Sequence, residues 1–138
     1  MIQRDYVQRM IEDLARVIAQ LSGMNPPAGL DFLDQSMETY LKLEAGEVDA
    51  LSEAALLKTL HEEKGLHVGQ LEFLAELLAR QGELLFAQND FEPAGSKFRK
   101  ALIIFDFVEK ELALFSIDRH QTIQKTKAFL ATINTTKK

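Results

Sequence analysis

The chain has 138 residues, 46% of them apolar and 27% charged, with three Pro, seven Gly and no Cys, the composition of one ordinary soluble domain. The missing thiol excludes cysteine catalysis, thiolate zinc sites, cysteine-ligated iron-sulfur clusters and disulfide frameworks. A net charge of -5 opposes nonspecific binding to phosphate backbones.

Arg4 and Asp5 interrupt the apolar core that a secretory signal needs. The longest uncharged stretch, Val17 to Leu30, is too short for a bilayer and holds Pro26 and Pro27. A cytoplasmic protein without a membrane span is therefore expected. Helical periodicity runs through the chain, and alternating strand patterns do not. The expected fold class is all-α: about six helices in antiparallel hairpins that stack as repeats or close into a compact bundle, in a single domain over residues 1–133.

The first helix carries the stripe Val7, Met10, Ile11, Leu14, Val17, Ile18 and Leu21, interrupted by Asp13. It is wider than a single contact face requires and predicts burial against more than one neighbour. Ser22-Gly23 and the pair Pro26-Pro27 end it. A second helix, near Gly29 to Leu43, turns Leu30, Leu33, Met37, Tyr40 and Leu41 inward and closes at Ala45-Gly46. A short third starts at a Ser52 cap, contributes Leu56, Leu57 and Leu60, and stops at Lys64-Gly65. The fourth runs from Val68 to Gln88 across Gly82. The fifth begins at Asp90, with Pro93 in its first turn and Ala94, Phe98, Ala101, Leu102, Phe105 and Val108 on one face. The sixth, Ile117 to Ile133 after a Ser116 cap, is polar apart from Ile123, Phe129, Leu130 and Ile133, so it covers a core on one side only. Residues 134–138 have nothing to bury and should fray.

One segment carries a pattern. From Ala75 to Asp106, within a hairpin spanning 75–108, stand Leu78, Gly82, Leu85, the turn Asn89-Asp90-Phe91, then Ala94, Phe98, Ala101 and Leu102. Small residues fit where two helices cross closely, and Phe91 and Phe98 fill the space between those crossings. This arrangement resembles the tetratricopeptide repeat, a helix-turn-helix unit, departing from it at Asn89, where Gly is usual, and at Asp106, where Pro is common. Neither flanking hairpin repeats the motif. The resemblance implies a non-catalytic protein-protein interaction module whose inner helix lines a groove at Glu76, Ala79, Glu83 and Phe86, with Arg80 beside them. Its implied partner is a neutral or basic protein or peptide. The subclass that grips a C-terminal carboxylate with Lys and Asn is not matched, because Ala79 and Glu83 occupy those positions. The opening Met1 to Glu12 resembles the start of a family of small uncharacterised bacterial helical proteins that end in a repeat-like hairpin. That likeness implies an architecture and a bacterial origin, and no reaction.

No constellation for chemistry emerges. His61, His67 and His120 lack metal-ligand spacing, and His61-Glu62-Glu63 reads as a solvated helix end. Glu12-Asp13 and Glu109 with Glu111 read as solvated acids. Ala94-Gly95-Ser96-Lys97 lies inside a helix, where its amides are already bonded, so it is not a phosphate loop. No catalytic, metal or cofactor-binding residues are expected, and an enzyme would require histidines or acids converging from distant helices. The last twenty residues hold five basic side chains and no acid. Their expected counter-charge is the acidic middle, 31–63, with nine acids against Lys42 and Lys58; without interleaved aromatics they offer little to nucleic-acid bases. The alternative to an adaptor is a homo-oligomer that pairs through the exposed part of the first helix.

Overall fold

The computed structural model describes residues 2–113 and 115–136. It is all-helical: α1 (Ile2–Leu21), α2 (Pro26–Leu41), a π-helical turn (Lys58–Glu63), α3 (Val68–Ala87), α4 (Phe91–Glu111) and α5 (Ile117–Thr136). Among the described residues no helix is long and apolar enough to cross a membrane.

Helix α3 is the axis of the molecule. A helix that is apolar on every side belongs inside a protein, and from Leu71 to Ala79 only Glu72 escapes full burial. Contacts fix how the others run along it. Gly29 meets Leu84, Asp34 bonds Gln81, and the Tyr40 ring lies 5.2 Å from that of Phe73, so α2 runs antiparallel to α3. Glu72 pairs with Arg119, Glu76 with Thr122, Glu83 with Lys125, and Phe86 with Phe129, so α5 runs parallel to it. On another side α1 also lies parallel to α3, its Val7 backbone passing 3.4 Å from where a Cβ on Gly69 would stand.

The ends follow local chemistry. Gly23, at φ 90°, terminates α1. Pro26 and Pro27 start α2 as well as barring the continuation of α1: Asn25 is the N-cap, its side chain accepting from Ala28 N at 3.0 Å. That moves the start of the second helix three residues ahead of the expected Gly29, because the first turn of a helix has amide groups to spare and tolerates proline. Its end moves too. Lys42, left-handed at φ 60°, closes α2 at Leu41 before Ala45-Gly46 is reached.

The expected third helix is instead a π-helical turn. Lys64 N donates to Thr59 O at 2.9 Å, five residues back, and Leu60 is fully buried. The Ser52 hydroxyl does cap Ala55 N, at 3.2 Å. Residues 43–55 are irregular and are held by α4: Lys100 Nζ donates to the carbonyls of Val48 and Asp49, both at 3.1 Å, Lys97 pairs with Asp49 at 2.7 Å, and Arg99 pairs with Glu53 at 2.8 Å. Of the acids in the middle, Asp49 and Glu53 thus pair with α4 and Glu47 with Lys64, while Arg119 and Lys125 of the last helix pair with Glu72, Glu109 and Glu83.

The α3–α4 hairpin packs as its small residues predict. Gly82, Ala94, Ala101 and Phe98 are buried, and a Cβ on Gly82 would stand 2.5–2.9 Å from the Phe98 ring. Asn89 adopts φ 63°, the left-handed conformation Asn tolerates, while Asp90 N donates to Leu85 O at 2.9 Å. Asp90 precedes α4 without making a side-chain cap bond. Ser116 does cap α5, accepting from Arg119 N at 3.2 Å. Helix α5 continues to Thr136, with Thr135 Oγ1 donating to Ala131 O at 2.9 Å; Lys137 and Lys138, the rest of the tail expected to fray, lie outside the described residues.

Candidate functional site

The two outer helices that run parallel to α3, α1 and α5, leave a gap between them. It is a half-open cavity of about 670 Å³, a size that suits a recognition site. Its floor is α3, through Gly69, Glu72, Phe73 and Glu76; one wall is α1, through Val7, Met10, Ile11 and Leu14. The other wall is the α4–α5 connection and the first turn of α5, including Leu112, Phe115, Asp118 and Arg119. Phe115 is 71% exposed and Ile11 50% exposed, so both lips carry large apolar side chains facing water. The wide apolar stripe of α1 thus has a second neighbour along only part of its length. Val17 is buried, whereas the residues nearer the N-terminus border open space.

The polar groups gather at the floor. Arg119 is buried, with Nη1 donating to Glu72 Oε2 at 2.9 Å and Nε to Glu109 Oε2 at 3.0 Å. Glu76 is also buried, accepting from Thr122 Oγ1 at 3.1 Å; Arg80 Nη2 stands 3.9 Å away and Arg80 Nη1 reaches Glu83 at 3.4 Å. Burial pushes the Glu76 carboxyl up to about 7, against the pull of Arg80 and of the Thr122 hydroxyl and with the help of the nearby acids Glu72 and Asp118.

The groove implied by the repeat resemblance is mostly closed. Ala79 is fully buried, Glu83 is taken by Lys125 at 3.2 Å, and Phe86 is wedged between Phe91 and Phe129, with ring centroids 5.2 and 4.9 Å away. The chain's own α5 lies over that face, with Phe129 stacked on Phe98 at 5.2 Å. Of the five positions, Glu76 alone lines the cavity, while Arg80 sits behind it.

The histidines do not converge. His61 Nδ1 donates to Leu66 O at 2.9 Å with its ring against Phe107, and His120 lies exposed near Phe115. His67 caps α3: its Nδ1 accepts from Gln70 N at 3.2 Å, its backbone N–H donates to Gln70 Oε1 at 3.0 Å, and its ring packs against Tyr6. Among the described residues no group of His, Asp and Glu could hold a metal ion. Glu12, Glu109 and Glu111 are exposed as expected, but Asp13 is buried and bonded to Arg16. Lys97, in the segment read against a phosphate loop, lies within α4 and pairs with Asp49.

Sequence reasoning passed over the α1 wall because its residues are those of any core stripe. It passed over Asp118 and Arg119 because nothing in their spacing points to α3. One signal was present: an apolar stripe too wide for one partner, facing a final helix too polar to cover it. No protein-family model, curated protein or solved structure matches the chain.

Proposed function

We propose that the chain is a non-catalytic interaction module, a tetratricopeptide-like adaptor working in the cytoplasm, that receives a helix of a partner protein between α1 and α5. The observation that carries this reading is the open apolar cavity itself, with Ile11 and Phe115 standing exposed at its lips. Large apolar groups around a concave surface lose hydration cost when an apolar face covers them. The trough shape matches recognition in which a partner helix lays down side chains at i, i+3, i+4 and i+7. The site lies one face away from the groove that the repeat resemblance implies, because α5 fills that one.

The test is an NMR titration of the full chain with a synthetic amphipathic helix bearing a leucine stripe. Shifts should concentrate at Val7, Met10, Ile11, Leu14 and Phe73. Ile11→Glu combined with Phe115→Glu should abolish binding with little change in Tm, since both side chains are already exposed. Binding that survives both substitutions overturns the reading. The half-exposed Ile11 on α1 also favours a second reading, a homo-oligomer paired through α1. Light scattering at high concentration separates the two: a dimer dissolved by Ile11→Glu assigns the groove to a second copy, and a monomer leaves it for a different partner.

A further inference from the structure

The cavity's walls and its floor differ in chemistry, and the difference selects an occupant. The residues that α1 contributes are all uncharged, so it sets no sign. The charges come from α3 and from the start of α5: Glu72, Glu76 and Asp118 against Arg119 alone. Arg119 is already committed, forked between Glu72 and Glu109 at 2.9 and 3.0 Å. The cation nearest Glu76 is Arg80, at 3.9 Å, and it lies closer to Glu83, at 3.4 Å. Hydroxyl donation from Thr122 is the shortest contact Glu76 makes. The apolar cavity therefore ends on a buried carboxylate whose paired cation, Arg80, is shared with Glu83. An anionic group entering it meets like charge, a neutral helix leaves the carboxyl buried as it was, and an ammonium or guanidinium gains a strong charge-assisted bond in a water-poor site.

We infer that the groove is specific for a cationic amphipathic helix, one that seats an apolar stripe between α1 and α5 and directs a single Lys or Arg side chain to Glu76. The inference rests on the adaptor reading and adds the sign and address of the recognised charge. Lys and Arg suit this role because their methylene stems run along apolar walls while the charged head reaches a polar end. The pairing is also coupled to protons. Facing Glu76 are Glu72 and Arg80 from α3 and Asp118, Arg119 and Thr122 from α5, with no charged group from α1. In the free protein burial holds the carboxyl near neutral pH, half protonated at about 7. A cation binds the ionised form, so docking expels the proton and tightens as pH rises through 7.

The experiment uses the full chain and a set of alanine-based helical peptides sharing one leucine stripe. A lysine is moved along the flank of the stripe, and each lysine peptide is matched by a norleucine and a glutamate counterpart. Binding is read by fluorescence anisotropy at pH 6 and pH 8.5. At the best position lysine should bind at least about 10-fold tighter than norleucine at pH 8.5, an advantage worth about 1.4 kcal/mol, and the advantage should shrink at pH 6. The glutamate peptides should bind weakest. Glu76→Gln should remove the advantage of lysine over norleucine, whereas Asp118→Asn should preserve most of it. Equal binding of lysine and norleucine at every position, or a lysine advantage that persists in Glu76→Gln, overturns the inference and leaves the adaptor reading standing. Failure of every peptide, or binding indifferent to Ile11→Glu with Phe115→Glu, overturns both.

Discussion

Replacing Glu76 by Gln should stabilise the protein in mild alkali and leave it unchanged in acid. In the unfolded chain the carboxyl titrates near its ordinary 4.5, whereas burial raises it to about 7 in the fold. Between those values the unfolded chain ionises while the folded one keeps its proton, so stability is full below 4.5, falls as pH rises and levels off above 7. The separation corresponds to about 3 kcal/mol. Gln keeps the acceptor for Thr122 Oγ1 and resembles the protonated acid in shape, so it matches the native residue at pH 4 and escapes the loss at pH 8. Urea denaturation of both proteins from pH 4 to pH 9 should show their midpoints coincident in acid and diverging with pH. By pH 8 the difference in stability should approach 3 kcal/mol, or a Tm gain of about 10 °C for a chain this size. The comparison cancels other titrations, His67 included, because they are common to both proteins. A difference that stays flat across the range, or a Gln variant less stable at pH 8, would refute the argument that the carboxyl is buried at a cost.

Two further outcomes follow from the fold. Burial lowers the pKa of His67 below 6.5, and its Nδ1 accepts from Gln70 N only while unprotonated. Cap stability is therefore present above the ordinary imidazole value and lost as pH falls from there through the lowered one. His67→Ala should cost about 1 kcal/mol at pH 7.5 and less at pH 5, measured by urea titration; a cost independent of pH would count against the cap. Gly82→Ala should cost about 1–3 kcal/mol, because the new methyl collides with the fully buried Phe98 ring, itself stacked on Phe129. A neutral effect in thermal unfolding would show that the α3–α4 crossing has slack.

Where the sequence was readable, the reasons were local. Helix starts at Val68 and Ile117 and the left-handed turn at Asn89 follow from residues within a few positions of each other, and so does the tight crossing at Gly82, which needs only a hairpin. Two kinds of feature were not readable. Pro26 and Pro27 forbid helix behind them and favour it ahead, and the pattern alone does not say which effect sets the next boundary; Asn25 as a cap decides it. The other kind depends on distant partners. Which face of α3 stays open depends on where α5 lies, and α5 has too little apolar periodicity to announce its docking side. Its position is set by Phe129 against Phe86 and Phe98 at one end and by Arg119 between Glu72 and Glu109 at the other. Pairs such as Phe86 with Phe129 and Glu72 with Arg119, more than forty residues apart, leave no trace in local spacing.

The same anchoring explains why a cavity exists at all. The C-terminal half of α5 meets the α3–α4 hairpin through Phe129, Leu130 and Ile133, side chains that exclude water and draw the helices together. Its N-terminal half meets α3 through Arg119 and Thr122, whose bonds to Glu72 and Glu76 are satisfied over α3 itself. They extend no apolar surface toward α1. On the facing side, Val7, Met10, Ile11 and Leu14 would need such a surface to be covered. Filling the gap from within would mean apolar residues in place of Arg119 and Thr122, which would strand the carboxyls of Glu72 and Glu76 inside the protein without their partners. The charged floor and the open apolar wall are thus two results of one choice of residues.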